Sequence, residues 1–224
     1  MTGIRNNRAQ RLGELRRCAR DKRFGRGIKL QFGSSDVDLD DPTDIALLRR
    51  VFRAANANKL AIVVHLRTRR AAPFGAEQAT TFIEEVVAEA PDVVVQIAHF
   101  AGGGSPNDLP ADEALGVFVA AIARADPRVR NVYFDTALIA PADVTPARAA
   151  FVAQKIREMG TKRILYGSDG GDPTDPPAKQ MLAAFRKLPL TAAEFKAIES
   201  NVAPYLSGSV PHDGKRPRSA GVNP

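Results

Sequence analysis

From Gly27 onward the chain repeats one unit five times: a short apolar, β-branched run, a loop rich in Gly, Asp, Pro or Thr, and a segment of helical period. The runs are Gly27 to Phe32 (GIKLQF), Leu60 to Leu66 (LAIVVHL), Val93 to His99 (VVVQIAH), Asn131 to Asp135 (NVYFD) and Arg163 to Gly167 (RILYG). Their hydrophobicity is continuous rather than alternating, the pattern of a parallel strand buried on both faces. Strand-to-strand spacing of about 30 to 38 residues is that of a strand-helix repeat. The arrangement predicts an α/β fold with a parallel sheet.

Helical patterns lie near residues 42 to 57, 76 to 90, 109 to 124, 145 to 159 and 175 to 187, with a last one over 191 to 200. Asp41-Pro42 and Thr145-Pro146 each place an N-cap before a proline at the first helical position. Gly160 stops the helix ending at Met159, and Thr191 to Glu194 has capping-box spacing. Residues 8 to 22 read as a charged amphipathic helix ahead of the first strand. Residues 207 to 224, dense in Gly, Pro and Ser, are expected to form a disordered tail.

Charge needs its location as well as its total. Residues 1 to 26 carry nine Arg or Lys against two acids, which accounts for the whole net charge of +7 and leaves 23 of each sign in the body. A nucleic-acid groove across the domain is therefore not expected, and the basic run reads as the solvated face of a helix. One cysteine, Cys18, excludes an internal disulfide framework and a Cys-x-x-Cys pair. With no apolar stretch long enough to span a membrane, a reducing, cytoplasmic setting fits the composition.

Polar residues interrupt the apolar runs at informative places. His65 follows Ala-Ile-Val-Val, His99 follows Val-Gln-Ile-Ala, and Asp169 follows Ile-Leu-Tyr-Gly-Ser, each at the C-terminal end of its run. That edge is where parallel α/β folds collect ligands and catalytic groups. Any one of them also reads as a structural histidine or a turn-forming aspartate. Of only three histidines, however, two share an equivalent position, and an acid takes it two runs later. Two imidazoles and a carboxylate suit Zn²⁺ or a similar divalent ion. Lys29 reads equally as a substrate-binding cation or as a side chain snorkelling outward. Arg67 and Thr68 lie where they can reach a substrate carboxylate, and Asp135 reads as a supporting or turn residue. The Gly-rich stretches at 100 to 105 and 167 to 171 fit neither a Walker A nor a dinucleotide fingerprint. His212 falls in the tail.

Gly27-Ile-Lys-Leu, Ile62-Val-Val-His-Leu-Arg-Thr68, Gln96-Ile-Ala-His-Phe-Ala-Gly102, Ile164-Leu-Tyr-Gly-Ser-Asp169 and Asn201-Val-Ala-Pro-Tyr-Leu206 together resemble the amidohydrolase-related family of metal-dependent (β/α)8 barrels. The resemblance runs from about residue 20 to 206. It implies that His65 is the strand-five metal ligand, His99 the strand-six histidine and Asp169 the strand-eight aspartate that binds metal and relays a proton, with Lys29 on strand four. The chain then holds strands four to eight in residues 27 to 206, an incomplete barrel without the family's strand-one His-x-His pair. An open sheet of this kind is expected to expose two edges and one apolar face, and so to associate into a homo-oligomer.

The implied activity is hydrolysis of a C–N or C–O bond in a small, carboxylated or aromatic substrate by metal-activated water, with Asp169 and His99 catalytic. Non-hydrolytic decarboxylation on the same metal site is the alternative within the family. A non-catalytic scaffold with a vestigial metal site is the alternative outside it.

Overall fold

The computed structural model of the protein describes residues 8–21, 26–67, 74–102, 108–140, 143–170 and 176–206, and in the first stretch only the side chains of 13 and 15–21. Helix α1 (Arg8–Arg20) precedes strand β1 (Gly27–Gln31), which runs into α2 (Phe32–Ser35) and α3 (Pro42–Ala57). Then come β2 (Ala61–His65) and α4 (Ala76–Thr81), β3 (Val95–Ile97) and α5 (Leu109–Ala123), and β4 (Val132–Asp135) and α6 (Pro146–Met159). β5 (Ile164–Leu165) is followed by α7 (Ala178–Phe185) and α8 (Ala192–Glu199). The strands make one parallel sheet in the order β1-β2-β3-β4-β5, each paired with its neighbour in sequence. This is the expected α/β repeat, with β1 and β5 as edges and the barrel left open.

The helix signals act as read. Asp41 accepts the Thr43 N–H at 2.7 Å, Thr145 accepts the Arg148 N–H at 3.3 Å, and Thr191 and Glu194 cap each other's backbone at 3.2 and 2.6 Å. Each supplies an acceptor to an amide with no partner inside its helix. α6 ends at Gly160, where φ is 85°. The helix expected over 76 to 90 departs from this regularity. It is α-helical only to Thr81; Phe82–Val86 form a wide π turn and Val87–Glu89 a tight 3₁₀ turn. The smaller rotation per residue in the π turn narrows the arc over which Phe82, Ile83, Val86 and Val87 point, and all four are at most 1% exposed.

Alternation in the strands decides which face carries the core. Ile62, Val64, Ile97, Val132, Phe134 and Ile164 are fully buried in the core that the helices complete. On the opposite face Lys29, Val63, Gln96 and Tyr133 lie in one cross-strand row, with Gln31 beside His65 in the next. These side chains are exposed or half-buried. β1 to β3 are therefore not buried on both faces, and the row they expose is mainly polar, while Asp135 and Leu165 at the ends of β4 and β5 stay buried. Ala61 and Val63 supply the hydrophobicity that masks the alternation in sequence. Among the described residues no helix is long and apolar enough to cross a membrane.

One carboxylate outside the site holds a turn against acid. Asp126, 7% exposed, accepts the Arg128 N–H at 3.0 Å and its guanidinium at 2.8 to 3.3 Å, with Arg124 at 3.4 Å. The Arg128 side chain first, and its backbone N–H after it, hold the Asp126 carboxyl down at about 2 rather than 3.8. The unfolded chain takes up this proton first, so the contribution is present above about pH 3.8 and is lost as the pH falls towards 2. Asp126→Asn is expected to cost about 1–2 kcal/mol at pH 6 and almost nothing near pH 2, as urea melts at the two pH values will show.

Candidate metal centre

β2 ends on His65, half-buried on the open face. Burial foremost, then the charges of His99, Lys29 and Arg67, push its imidazole down to about 4, so the ring is neutral at pH 7 and keeps a lone pair. Its Nδ1 is buried with no hydrogen-bond partner. An orphaned buried nitrogen costs about 1–3 kcal/mol, and a bound cation is a group that would use it.

His99 is not at a strand end, as its sequence position suggested. β3 stops at Ile97, and His99, Phe100 and Ala101 follow with φ of 52°, 53° and 66°, none of them glycine. Alternation explains the need for this turn. Gln96 shares the face of Lys29 and Val63, so a His99 in continued strand would point into the helix layer. The left-handed turn redirects it, and its ring lies 5.0 Å from that of His65 at 70°.

Non-glycine residues in this region cost of order 1 kcal/mol each. Asp135, at the end of β4 and 8% exposed, holds them there. Its Oδ1 accepts the His99 N–H at 2.9 Å and the Ala137 N–H at 3.2 Å, and its Oδ2 accepts Gln96 Nε2 at 2.8 Å. The Gly102 N–H donates to the His99 carbonyl at 2.9 Å and closes the turn.

His99 Nδ1 lies 3.0 Å from the Ala137 carbonyl. A carbonyl only accepts, so Nδ1 carries the proton and the neutral ring keeps its lone pair on Nε2. That nitrogen faces Asp169 Oδ2 across 3.7 Å, too far for a hydrogen bond. Two electron-pair donors facing in this way call for a cation, or a proton on Nε2, between them. Asp169 itself lies four residues beyond the end of β5 rather than on it, at φ 56°, its side chain 38% exposed.

An open cleft of about 440 Å³ is lined by Lys29, Gln96, His99, Asp135, Asp169 and Tyr205, among others. Lys29 thus faces the site rather than away from it. His65 borders His99 but is not part of this lining, and Arg67 is exposed beyond it. Among the described residues no three His, Cys, Asp or Glu side chains converge on a point that could hold an ion. His99 is central, with His65 on one side and Asp169 on the other. Thr68, Gly103 to Ser105, Gly171 and the segment with His212 lie outside the described residues.

Two residues of the site carried little signal in sequence. Gln96 is a polar residue within an apolar run. Tyr205, whose hydroxyl donates to Gln96 Oε1 at 2.6 Å, had none beyond its place in a short motif.

A family model described as amidohydrolase matches residues 5–202, α1 included. The chain belongs to the amidohydrolase family. No curated protein matches it. Among solved structures, this amidohydrolase is similar to 5-carboxyvanillate decarboxylase from Sphingomonas paucimobilis (TM-score 0.53, 17% identity), over 87% of this chain and 61% of that one. It is also similar to a zinc-bound amidohydrolase from Burkholderia multivorans (TM-score 0.57, 16% identity, 92% and 72% covered). A third is a protein assigned as a 2-pyrone-4,6-dicarboxylic acid hydrolase from Pseudomonas putida (TM-score 0.53, 17% identity, 88% and 66% covered). At these identities the likeness is one of fold, and this amidohydrolase spans about three fifths of the length of the Sphingomonas structure.

Proposed function

We propose that the chain carries part of a metal-dependent active site, with His65, His99 and Asp169 as ligands of a divalent ion. Zinc suits two imidazoles and a carboxylate, and it is bound in the Burkholderia relative. The observation that carries the reading is His99 Nε2 facing Asp169 across 3.7 Å while Nδ1 is tied to the Ala137 carbonyl. The orphaned Nδ1 of His65 adds a third donor in search of a partner.

When bound, the metal would supply Lewis acidity towards water and the scissile group. The partly exposed Asp169 carboxylate would take up and return a proton on the oxygen not held by the ion. His99, held at Nδ1 by the Ala137 carbonyl, would keep its Nε2 lone pair on the ion, whose charge would offset that developing on the scissile group. Lys29 and, from the rim, Arg67 would hold a substrate carboxylate. The reaction we infer is hydrolysis of a C–N or C–O bond in a small carboxylated or aromatic molecule. Likeness to the Sphingomonas enzyme favours decarboxylation as the second reading.

Zinc-equilibrated protein, incubated with a panel of aromatic carboxylates, amides and lactones in heavy-oxygen water, separates the readings. Product labelled with heavy oxygen is the expected result. Release of CO₂ without label would overturn hydrolysis in favour of decarboxylation. Protein that retains no stoichiometric zinc would leave only the non-catalytic scaffold.

A further inference from the structure

Residues 201–206 follow α8 and return to the site. Asn201 Nδ2 donates to the carbonyls of Thr161 and Ile164 at 2.7 Å each, fixing where the segment leaves α8. Tyr205 then donates to Gln96 Oε1 at 2.6 Å, across 109 residues of sequence. Asn201, Ala203 and Tyr205 line the same cleft as His99 and Asp169.

The bonds that lead from Tyr205 to His99 have only one consistent polarity. Gln96 Oε1 can only accept, so the phenol donates; Gln96 Nε2 can only donate, so it bonds the carboxylate of Asp135; and Asp135 Oδ1 accepts the His99 N–H. The bonds of 2.6 and 2.8 Å run in one direction towards Asp135 and polarise one another, and the His99 N–H meets the same carboxylate from the other side at 2.9 Å. Burial foremost, then the charge of Asp135, raises the Tyr205 hydroxyl above its ordinary range and keeps it a donor. Both oxygens of Asp135 are engaged, one by the His99 and Ala137 amides and the other by Gln96. Without the phenol, Gln96 loses the bond that fixes its amide, and Asp135 is free to turn away from the His99 and Ala137 amides.

We propose that Tyr205 is a positioning residue: through Gln96 and Asp135 it holds the His99 backbone in its left-handed turn and so keeps Nε2 presented towards Asp169. Its consequence for metal rests on His99 being a ligand, as inferred above; its consequence for the backbone does not. Tyr205→Phe, which deletes one hydroxyl, and Gln96→Leu, which deletes the next link, test it in the full chain by two measurements. Amide hydrogen exchange followed by NMR is expected to quicken about tenfold at His99 and Ala137 while amides of α3 hold their rates. Zinc affinity, read by competition with a chromophoric chelator, is expected to fall between about threefold and tenfold in both variants. Unchanged exchange at His99 and Ala137 in both variants would overturn the proposal. Faster exchange there in a protein that binds no zinc would support the positioning role and defeat the metal reading alone. Should a variant be less stable overall, exchange at His99 relative to α3 still carries the result.

Discussion

A His65→Leu variant is expected to be more stable than the natural chain in metal-free buffer at pH 7, and to bind zinc about a hundredfold more weakly. The two effects have one source. Nδ1 of His65 is buried without a partner, a burden of about 1–3 kcal/mol that an apolar side chain of similar size removes; a net gain of about 1 kcal/mol remains after imperfect repacking. The same ring is one of the three donors proposed for a metal, and loss of a ligand or of its support lowers affinity by one to two orders of magnitude or more. Acid sharpens the comparison. With its folded-state value lowered to about 4 from 6.5, His65 binds its proton later than it does in the unfolded chain. The natural protein therefore loses stability as the pH falls from about 6.5 towards 4, and the variant loses less over that window. Chemical melts at pH 7 and 4.5 and zinc titration check the three statements. Unaltered zinc affinity would remove His65 from the site.

The largest expected loss of stability lies away from the chemistry. Phe82 is fully buried at the start of the π turn and meets Phe52, Phe32 and Phe74 edge-on at 5.6, 5.9 and 6.3 Å between ring centroids. It joins α3, the turn after β1 and the segment entering α4. Phe82→Ala should cost about 3–5 kcal/mol, the transfer of the ring plus the cavity it leaves. Edge-to-face geometry with three partners places it towards the upper end of that range. Since domains commonly hold only about 5–15 kcal/mol in total, the variant should unfold at a much lower urea concentration. Its folded fraction should keep the zinc affinity of the natural chain, because its ring partners Phe32, Phe52 and Phe74 all lie outside the site. A shift in midpoint equivalent to less than about 1 kcal/mol would show that the four-ring cluster relaxes around the gap.

Much of the fold could be read from sequence because local chemistry settles it. Asp41-Pro42, Thr145-Pro146, Thr191 to Glu194 and Gly160 begin or end helices through contacts within four residues, and such contacts survive any tertiary context. What lay beyond reading came from side-chain alternation and from distance. His65 and His99 look equivalent as strand-end histidines, yet one lies on a strand and the other needs a left-handed turn to reach the same side. Nothing in Ala-His-Phe-Ala announces that turn, since no glycine marks it. It depends on Asp135, some three dozen residues away. Tyr205 meets Gln96 across a longer separation still, and only the packed sheet brings them together. The polar row of the open face was hidden for a similar reason, for Val63 stands between Lys29 and Gln96 in it, with Ala61 two residues earlier on the same strand. The side to which Lys29 turns follows from the cross-strand register and from the cleft it lines.

Strand order equal to chain order has a consequence for biosynthesis. As the chain leaves the ribosome, each strand finds its partner already made, one unit earlier, so the sheet can grow from β1 towards β5 without waiting for a distant segment. The site cannot mature on that schedule. Lys29, His65 and His99 emerge early, Asp169 near the end, and the tyrosine that tightens Asp135 around the His99 turn arrives after α8. A nascent chain stalled before residue 205 would hold a folded sheet whose histidine turn still lacks the phenol proposed to tighten it.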